Sequence, residues 1–185
     1  MTAEFEQLPG YHVRRLHQIA VALFLEETKL HGITPVQYGA LAAVAGQPGI
    51  DQRGLARAIG IDTSTIGSVV DRLEARGLMT RNASPDDRRV RLLTITPEGE
   101  SLLSAVEPGL LRTQDRLLAP LPADQQADFM RMLTTLVQGN SSVSRAPSNS
   151  DGPAPEAFGT RQANSVVPSE VATPPLSPRR RQRAA

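Results

Sequence analysis

The chain has 185 residues with 20 basic and 19 acidic side chains, which predicts one domain, or one domain with an appendage, of net charge +1. It contains no cysteine and no run of about 18 apolar residues, which excludes disulfides, thiolate metal sites and a transmembrane helix. The N-terminus is acidic and lacks the apolar core of a secretory signal, so we expect a cytoplasmic protein.

Two helices are predicted in the first 46 residues. Apolar residues recur three and four apart over residues 11–31, and Gly32 is a suitable stop. Thr34 followed by Pro35 is a typical helix start, because the threonine caps and the proline occupies the first helical position. We expect this second helix to end at Gly46.

Two shorter helices follow, in the arrangement of a helix-turn-helix. Asp51 caps the first, over residues 52–59, and Asp62 or Thr63 begins the second, which ends at Gly77. One face of the second helix is apolar, with Ile66, Val69, Val70 and Leu73. The opposite face is polar and is predicted to enter the major groove of DNA, with Ser64, Thr65, Ser68, Asp71 and Arg72. The alternative is an ordinary amphipathic surface helix.

A basic hairpin is predicted after this pair. Residues 78–81 and 89–95 have the pattern of two strands. Arg89 is predicted to enter a minor groove, held extended by an ion pair with Asp87, while Arg88 and Arg91 contact phosphates. The alternative is an exposed hairpin that its charges keep in solution.

The distribution of charge supports binding to double-stranded DNA. Residues 53–91 hold eight arginines and five acidic residues, an excess of +3, whereas residues 1–138 together carry −2. Positive charge is therefore concentrated on the helix-turn-helix and its basic wing, a combination typical of DNA-binding proteins.

The remaining sequence predicts two more helices and a tail. Thr96 and Pro97 begin a long helix that Pro108 and Gly109 are expected to kink or divide. A final helix covers about residues 122–137 and presents Phe129, Met132, Leu133 and Leu136 on one face. Residues 139–185 are rich in Ser, Pro and Ala and are predicted to be disordered. The predicted fold class is mainly α with a small β-wing.

Three segments carry a resemblance to a known family: the second helix of the pair, the sequence DDRR at 86–89, and LLTITPEG at 92–99. With them, residues 10–138 resemble the MarR family of winged helix-turn-helix regulators. The resemblance implies a winged helix-turn-helix at 50–96, dimerisation helices at 10–46 and 97–138, and a homodimer that reads a pseudo-palindromic operator. The apolar stripes of the terminal helices independently require burial, which a partner chain would supply.

The resemblance also implies a small effector, often aromatic and anionic, whose binding releases DNA. Tyr11, His12, Arg15 and His17 offer a cation, hydrogen-bond donors and an apolar wall for such a ligand, with Tyr38 as a companion. The alternative is that these residues form dimer contacts and an exposed basic patch. The sequence GYHVRRLHQIAVALFLEE is also similar to a subgroup that controls nicotinate catabolism and responds to hydroxynicotinate-type acids.

Enzymatic and metal-dependent functions are disfavoured. The sequence has no nucleophile elbow, phosphate loop or Cys/His pair, and its three histidines are not spaced as a metal-ligand set. We therefore expect no catalytic residue, metal or cofactor. The predicted function is a ligand-released repressor, with a ligand-independent architectural or virulence-type DNA-binding regulator as the alternative.

Overall fold

The computed structural model describes residues 2–85 and 87–143. These residues belong to the first of two compact units, Met1–Ala154. The predictions for Asp86 and for residues 144–185 lie outside the described residues.

The described part is mainly helical with one small sheet, as predicted. Its α-helices are α1 (Thr2–Phe5), α2 (Pro9–Glu27), α3 (Pro35–Gly46), α4 (Gln52–Ile59), α5 (Thr63–Ala75), α6 (Pro97–Leu118) and α7 (Ala123–Gly139). Its strands are β1 (Ile50–Asp51), β2 (Met79–Ala83) and β3 (Arg91–Ile95). Two 3-10 turns, Lys29–His31 and Ser141–Val143, follow α2 and α7.

The helix starts that the sequence predicted are confirmed by their capping bonds. The Thr34 hydroxyl accepts the backbone N–H of Gln37, whose side chain accepts the N–H of Thr34 in return. Asp51, Asp62 and Thr96 cap α4, α5 and α6 through side-chain oxygens. These caps satisfy backbone donors that have no partner inside the helix.

The sheet is antiparallel with the strand order β1-β3-β2. Strand β1 was not predicted, because two residues carry no periodicity. It pairs Ile50 with Leu93 and Asp51 with Leu92, so it attaches the start of α4 to the wing. Strand β2 begins at Met79 and pairs along the other edge of β3.

A single core joins α3, α4, α5 and the sheet, and Phe24 of α2 and Val106 of α6 belong to it as well. Its fully buried side chains include Leu41, Leu55, Leu73 and Leu93. Helix α3 packs against α4, α5 and β3 and also against α2 and α6.

Helix α6 packs against α2 and continues through Pro108 as one helix, so of the kink or division expected there the division is wrong. The two helices approach each other closely at the next residue. A Cβ on Gly109 would come within 2.9 Å of the Glu27 carbonyl oxygen, which shows how closely the two helices approach. The Glu27 carboxylate also accepts hydrogen bonds from Arg112 at 2.7 Å and Arg116 at 2.6 Å.

Apolar side chains are left exposed on the terminal helices. Val13, Ile19 and Leu25 are exposed on α2, and Met132 and Leu136 are exposed on α7. Helix α7 has no buried residue in the described structure. The described helices include none that is long and apolar enough to cross a membrane.

Candidate nucleic-acid interface

The two faces of α5 are divided as predicted. Ile66, Val69, Val70 and Leu73 are buried, whereas Ser64, Thr65, Ser68, Asp71 and Arg72 are exposed. The capping residue Asp62 organises the start of the exposed face. Its carboxylate accepts the Ser64 hydroxyl at 2.5 Å, the Thr65 hydroxyl at 2.8 Å and the Thr65 N–H at 2.9 Å. These bonds, that of Ser64 first, lower the pKa of Asp62 to about 2.

The hydroxyls on this face all donate their hydrogens within the protein. Ser64 and Thr65 donate to Asp62, and Ser68 donates to the Thr65 carbonyl at 2.9 Å. Their free lone pairs are acceptors, and the amino groups of adenine and cytosine are the donors that the major groove presents. In this arrangement the three hydroxyls suit base amino groups better than phosphates, which only accept.

Asp71 lies in an ion pair within the protein. Its Oδ1 is 2.8 Å from a guanidinium nitrogen of Arg81 on β2. Arg81 also binds Glu74 through Nε at 2.8 Å and through a second guanidinium nitrogen. These contacts lower the pKa of Glu74 and raise that of Arg81, the Arg81–Glu74 hydrogen bond being the largest cause of both.

This ion-pair cluster attaches the wing to α5. Arg81 and Glu74 were not predicted as site residues, because a pairing between a helix and a strand has no local signature. Asp71 therefore has a structural contact that its position on the exposed face did not reveal.

The wing turn is organised by Asp87, but not as predicted. Asp87 Oδ1 accepts the backbone N–H of Arg89 at 2.9 Å, and its carbonyl accepts the N–H of Val90 at 2.9 Å. The ion pairs found among residues 2–85 and 87–143 include none between Asp87 and Arg89. A two-residue spacing favours this turn, because a short carboxylate reaches the backbone two residues ahead.

Arg88, Arg89 and Arg91 are exposed. Arg89 and Arg91 line an open cleft of about 340 Å³ together with Val90 and with residues at the start of α4, Asp51, Gln52 and Arg53. The structure thus brings Arg53 beside two predicted DNA contacts. No sequence motif marked Arg53, since its place depends on the pairing of β1 with β3.

Comparison with known proteins identifies the family. A family model described as MarR family matches residues 31–90. A transcriptional regulatory protein for the hcr operon of Thauera aromatica is 35% identical over 133 residues, covering 71% of this chain and 80% of that protein. The chain belongs to the MarR family. It is a DNA-binding transcriptional regulator and not an enzyme.

Solved structures agree with this assignment of the MarR-family chain. The repressor CouR of Rhodococcus jostii RHA1, bound to a 23-mer DNA duplex, is 30% identical, with 74% of this chain and 97% of that one covered and a TM-score of 0.69. BpsR of Bordetella bronchiseptica, from a study of its regulation by 6-hydroxynicotinic acid, is 27% identical, with 71% and 94% covered and a TM-score of 0.68.

Four of the predicted effector residues lie near the start of α2 in this MarR-family chain. The Tyr11 ring packs edge-on against Phe5 with centroids 5.5 Å apart and lies beside the His12 ring. His12, Arg15 and His17 are exposed, and Arg15 donates to the side chain of Gln18 at 3.2 Å. Within the described residues, no group of three or more His, Asp or Glu side chains is placed to hold a metal ion.

The fifth effector residue, Tyr38, lies elsewhere. It is half-buried on α3, and its ring centroid is 6.0 Å from that of Phe24. Burial raises the pKa of Tyr38, and the negative charge of Glu107 raises it further. Phe24 follows Tyr11 by thirteen residues on α2, a separation of about 20 Å at the rise of an α-helix. One chain therefore does not bring Tyr38 together with Tyr11.

Proposed function

We propose that this MarR-family chain is a dimeric cytoplasmic repressor that a small aromatic acid releases from its operator. The observation that carries the proposed DNA binding is that α5 and the wing, the two parts that would contact DNA, are both attached to one core. Asp71 and Glu74 on α5 bind Arg81 on the wing strand, so the recognition face and the wing arginines keep a fixed separation. A fixed separation is what reading a major groove and the adjacent minor groove requires.

Each part has its own task on DNA in this proposal. Ser64, Thr65 and Ser68 accept hydrogen bonds from base amino groups in the major groove, and Arg72 contacts a guanine or a phosphate. Arg89 enters the minor groove, where narrow A·T-rich segments attract arginine. Arg88 and Arg91 bind backbone phosphates. Asp71 and Asp87 support these contacts by holding the wing and its turn.

The exposed apolar faces of α2 and α7 support a homodimer. Side chains such as Ile19 and Met132 would stay in water in a single chain, and burying them against a second copy is favourable. A two-fold axis through these helices presents two recognition helices to half-sites about one helical turn apart. Residues 97–138 and the α2 part of 10–46 supply this interface.

The class of effector is inferred from the relatives, and its binding site is inferred from the regions around Tyr11 and Tyr38. BpsR, whose DNA binding 6-hydroxynicotinic acid regulates, supports a ligand of that class. Tyr38 offers an aromatic wall, but the negative charge of Glu107 disfavours a second carboxylate beside it. The ligand carboxylate therefore binds Arg15 with Tyr11, His12 and His17, and a composite site requires the α2 start of the partner chain.

Release follows from a difference in affinity. The effector binds the arrangement of the two lobes that does not fit DNA more tightly than the arrangement that does. Even a small change in the separation or rotation of the recognition helices misplaces them relative to the half-sites.

The test is the fluorescence anisotropy of a labelled operator, defined first by footprinting, during titration with 6-hydroxynicotinic acid. We expect the wild-type chain to leave the operator as the acid is added. Arg15→Ala should bind the operator normally but require a much higher concentration of acid, because it lacks the cation for the carboxylate. Unchanged operator affinity at every concentration, together with no heat of binding in calorimetry, would leave the ligand-independent regulator as the correct alternative.

A further inference from the structure

Three arginines converge on the cleft between α4 and the wing. Arg53 comes from the first turn of α4, Arg89 lies two residues before β3, and Arg91 is the first residue of β3. All three are exposed, and within the described part of the chain their guanidinium groups form no hydrogen bond or ion pair. They are therefore available to an external partner.

Backbone pairing holds this convergence. Asp51 on β1 is paired with Leu92 on β3 in an antiparallel register. Arg53 follows Asp51 by two residues, in the first turn of α4, and Arg91 directly precedes Leu92, so this pairing brings both arginines to the same end of the β1–β3 pair. A Cβ on Gly54 would come within 2.8 Å of Ile50 Cγ1, so α4 begins as close to β1 as packing allows. Main-chain pairing thus holds the backbone of Arg53 beside the wing.

The electrostatics of the cleft favour an anion. Asp51 is the single carboxylate among the described residues that line it, against three guanidinium groups. Its Oδ1 already accepts the N–H of Gly54 at 2.6 Å as the cap of α4. The remaining N–H groups of the first turn add a partial positive charge on the same side. Guanidinium groups bind phosphate oxygens through paired hydrogen bonds.

We propose that this cleft binds a backbone phosphate of the operator beside the minor groove that Arg89 enters. The inference rests on the proposed DNA-binding function and adds Arg53 to it as a phosphate-binding residue. Because Arg53 belongs to the helix-turn-helix and Arg91 to the wing, one phosphate connects both parts of the lobe. A free inorganic phosphate has the same chemistry and is the competing occupant.

The first test compares Arg53→Ala with the wild-type chain on the operator and on an unrelated duplex at several salt concentrations. A phosphate contact carries no sequence information, so both affinities should fall by the same factor, about tenfold for each half-site. The slope of log affinity against log salt should decrease by about 0.9 for each lost contact, hence by about 1.8 for a dimer. Lys29→Ala removes an exposed positive charge from the 3-10 turn after α2, outside the proposed interface, and should leave both quantities unchanged.

The second test locates the phosphate with operator duplexes that carry one neutral methylphosphonate at successive positions. At one position in each half-site, the substitution should weaken binding of the wild-type chain but have no further effect on Arg53→Ala. Equal weakening of both proteins at every position would overturn the proposal. Calorimetric binding of inorganic phosphate that Arg53→Ala abolishes, without this coupling, would assign the cleft to a free anion and also overturn it.

The two proposals fail differently. If the wild-type chain shows no preference for any duplex over random DNA, the proposed function fails. If the wild-type chain binds its operator and Arg53→Ala binds equally well with the same salt slope, only the phosphate cleft is rejected.

Discussion

At the residue scale, the carboxylates of the DNA-binding lobe act on the protein rather than on DNA. Asp62 caps α5 and holds two hydroxyls, Asp71 and Glu74 bind Arg81, and Asp87 holds the wing turn through a backbone N–H. Acidic groups near a phosphate backbone are repelled by it. Hydrogen bonds and ion pairs within the protein therefore reduce the loss of DNA affinity that these negative charges cause. Arg72, Arg88, Arg89 and Arg91 stay exposed.

Two substitutions at Asp87 distinguish the observed turn from the predicted ion pair. Asp87→Asn keeps a side-chain oxygen that accepts the Arg89 N–H, so we expect operator affinity equal to that of the wild-type chain or slightly higher, since one negative charge is lost. Asp87→Ala removes the acceptor and should lower operator affinity about three- to tenfold, the loss of a hydrogen bond of about 1 kcal/mol. Anisotropy titrations measure both. Equal losses for the two variants would restore the ion pair as the function of Asp87.

At the element scale, close backbone contacts hold the wing to the helices. The first turn of α6 touches the start of the wing, where a Cβ on Gly99 would be 2.1 Å from the Leu78 carbonyl oxygen. Gly67, in the middle of α5, is different, since a Cβ there would meet nothing within 4 Å. The preceding helix therefore does not require a glycine at position 67, and a close approach to DNA is the alternative that a substitution there can test.

These two glycines give a matched pair of stability measurements. Gly99→Ala must displace α6 from the wing, and we expect the free energy of unfolding to fall by about 2–3 kcal/mol. Gly67→Ala removes the extra backbone freedom that a glycine has in the unfolded chain, so it should raise the free energy of unfolding by about 0.5–1 kcal/mol. Operator affinity should fall if the DNA backbone comes close to this position. Urea unfolding followed by circular dichroism measures both. A stable Gly99→Ala variant would show that the wing moves easily relative to α6.

The sequence predicted the features that depend on interactions between residues close together in the chain and missed those that depend on distant segments. Helices α3 to α5 were predicted with their caps, because a cap such as Thr34 or Asp62 acts within three residues. Strand β1, the Arg81 ion pairs and the position of Arg53 were missed, because each depends on segments far apart in the chain. Pro108 did not divide α6, since proline removes one backbone hydrogen bond and packing on α2 compensates for it. The Asp87–Arg89 prediction had the right pair of residues but the wrong atoms.

At the scale of the whole molecule, one core joins the winged lobe to Phe24 of α2 and Val106 of α6, whereas α2 and α7 also expose apolar side chains that the described chain does not cover. In the proposed dimer, a second copy buries those faces and presents the second recognition helix. The DNA affinity of that dimer would depend on the separation of its two lobes, and so would its response to the proposed effector.

The separation of the half-sites therefore tests the account most directly. The measurement is the affinity of the full chain for its operator and for a duplex with five base pairs inserted between the half-sites, with the number of bound chains determined by analytical ultracentrifugation. We predict two chains on the operator and an affinity loss of about a hundredfold or more after the insertion, because half a helical turn places the second half-site on the opposite side of the duplex. A single chain bound to the operator, or equal affinity for both duplexes, would contradict the proposal that a dimer binds both half-sites.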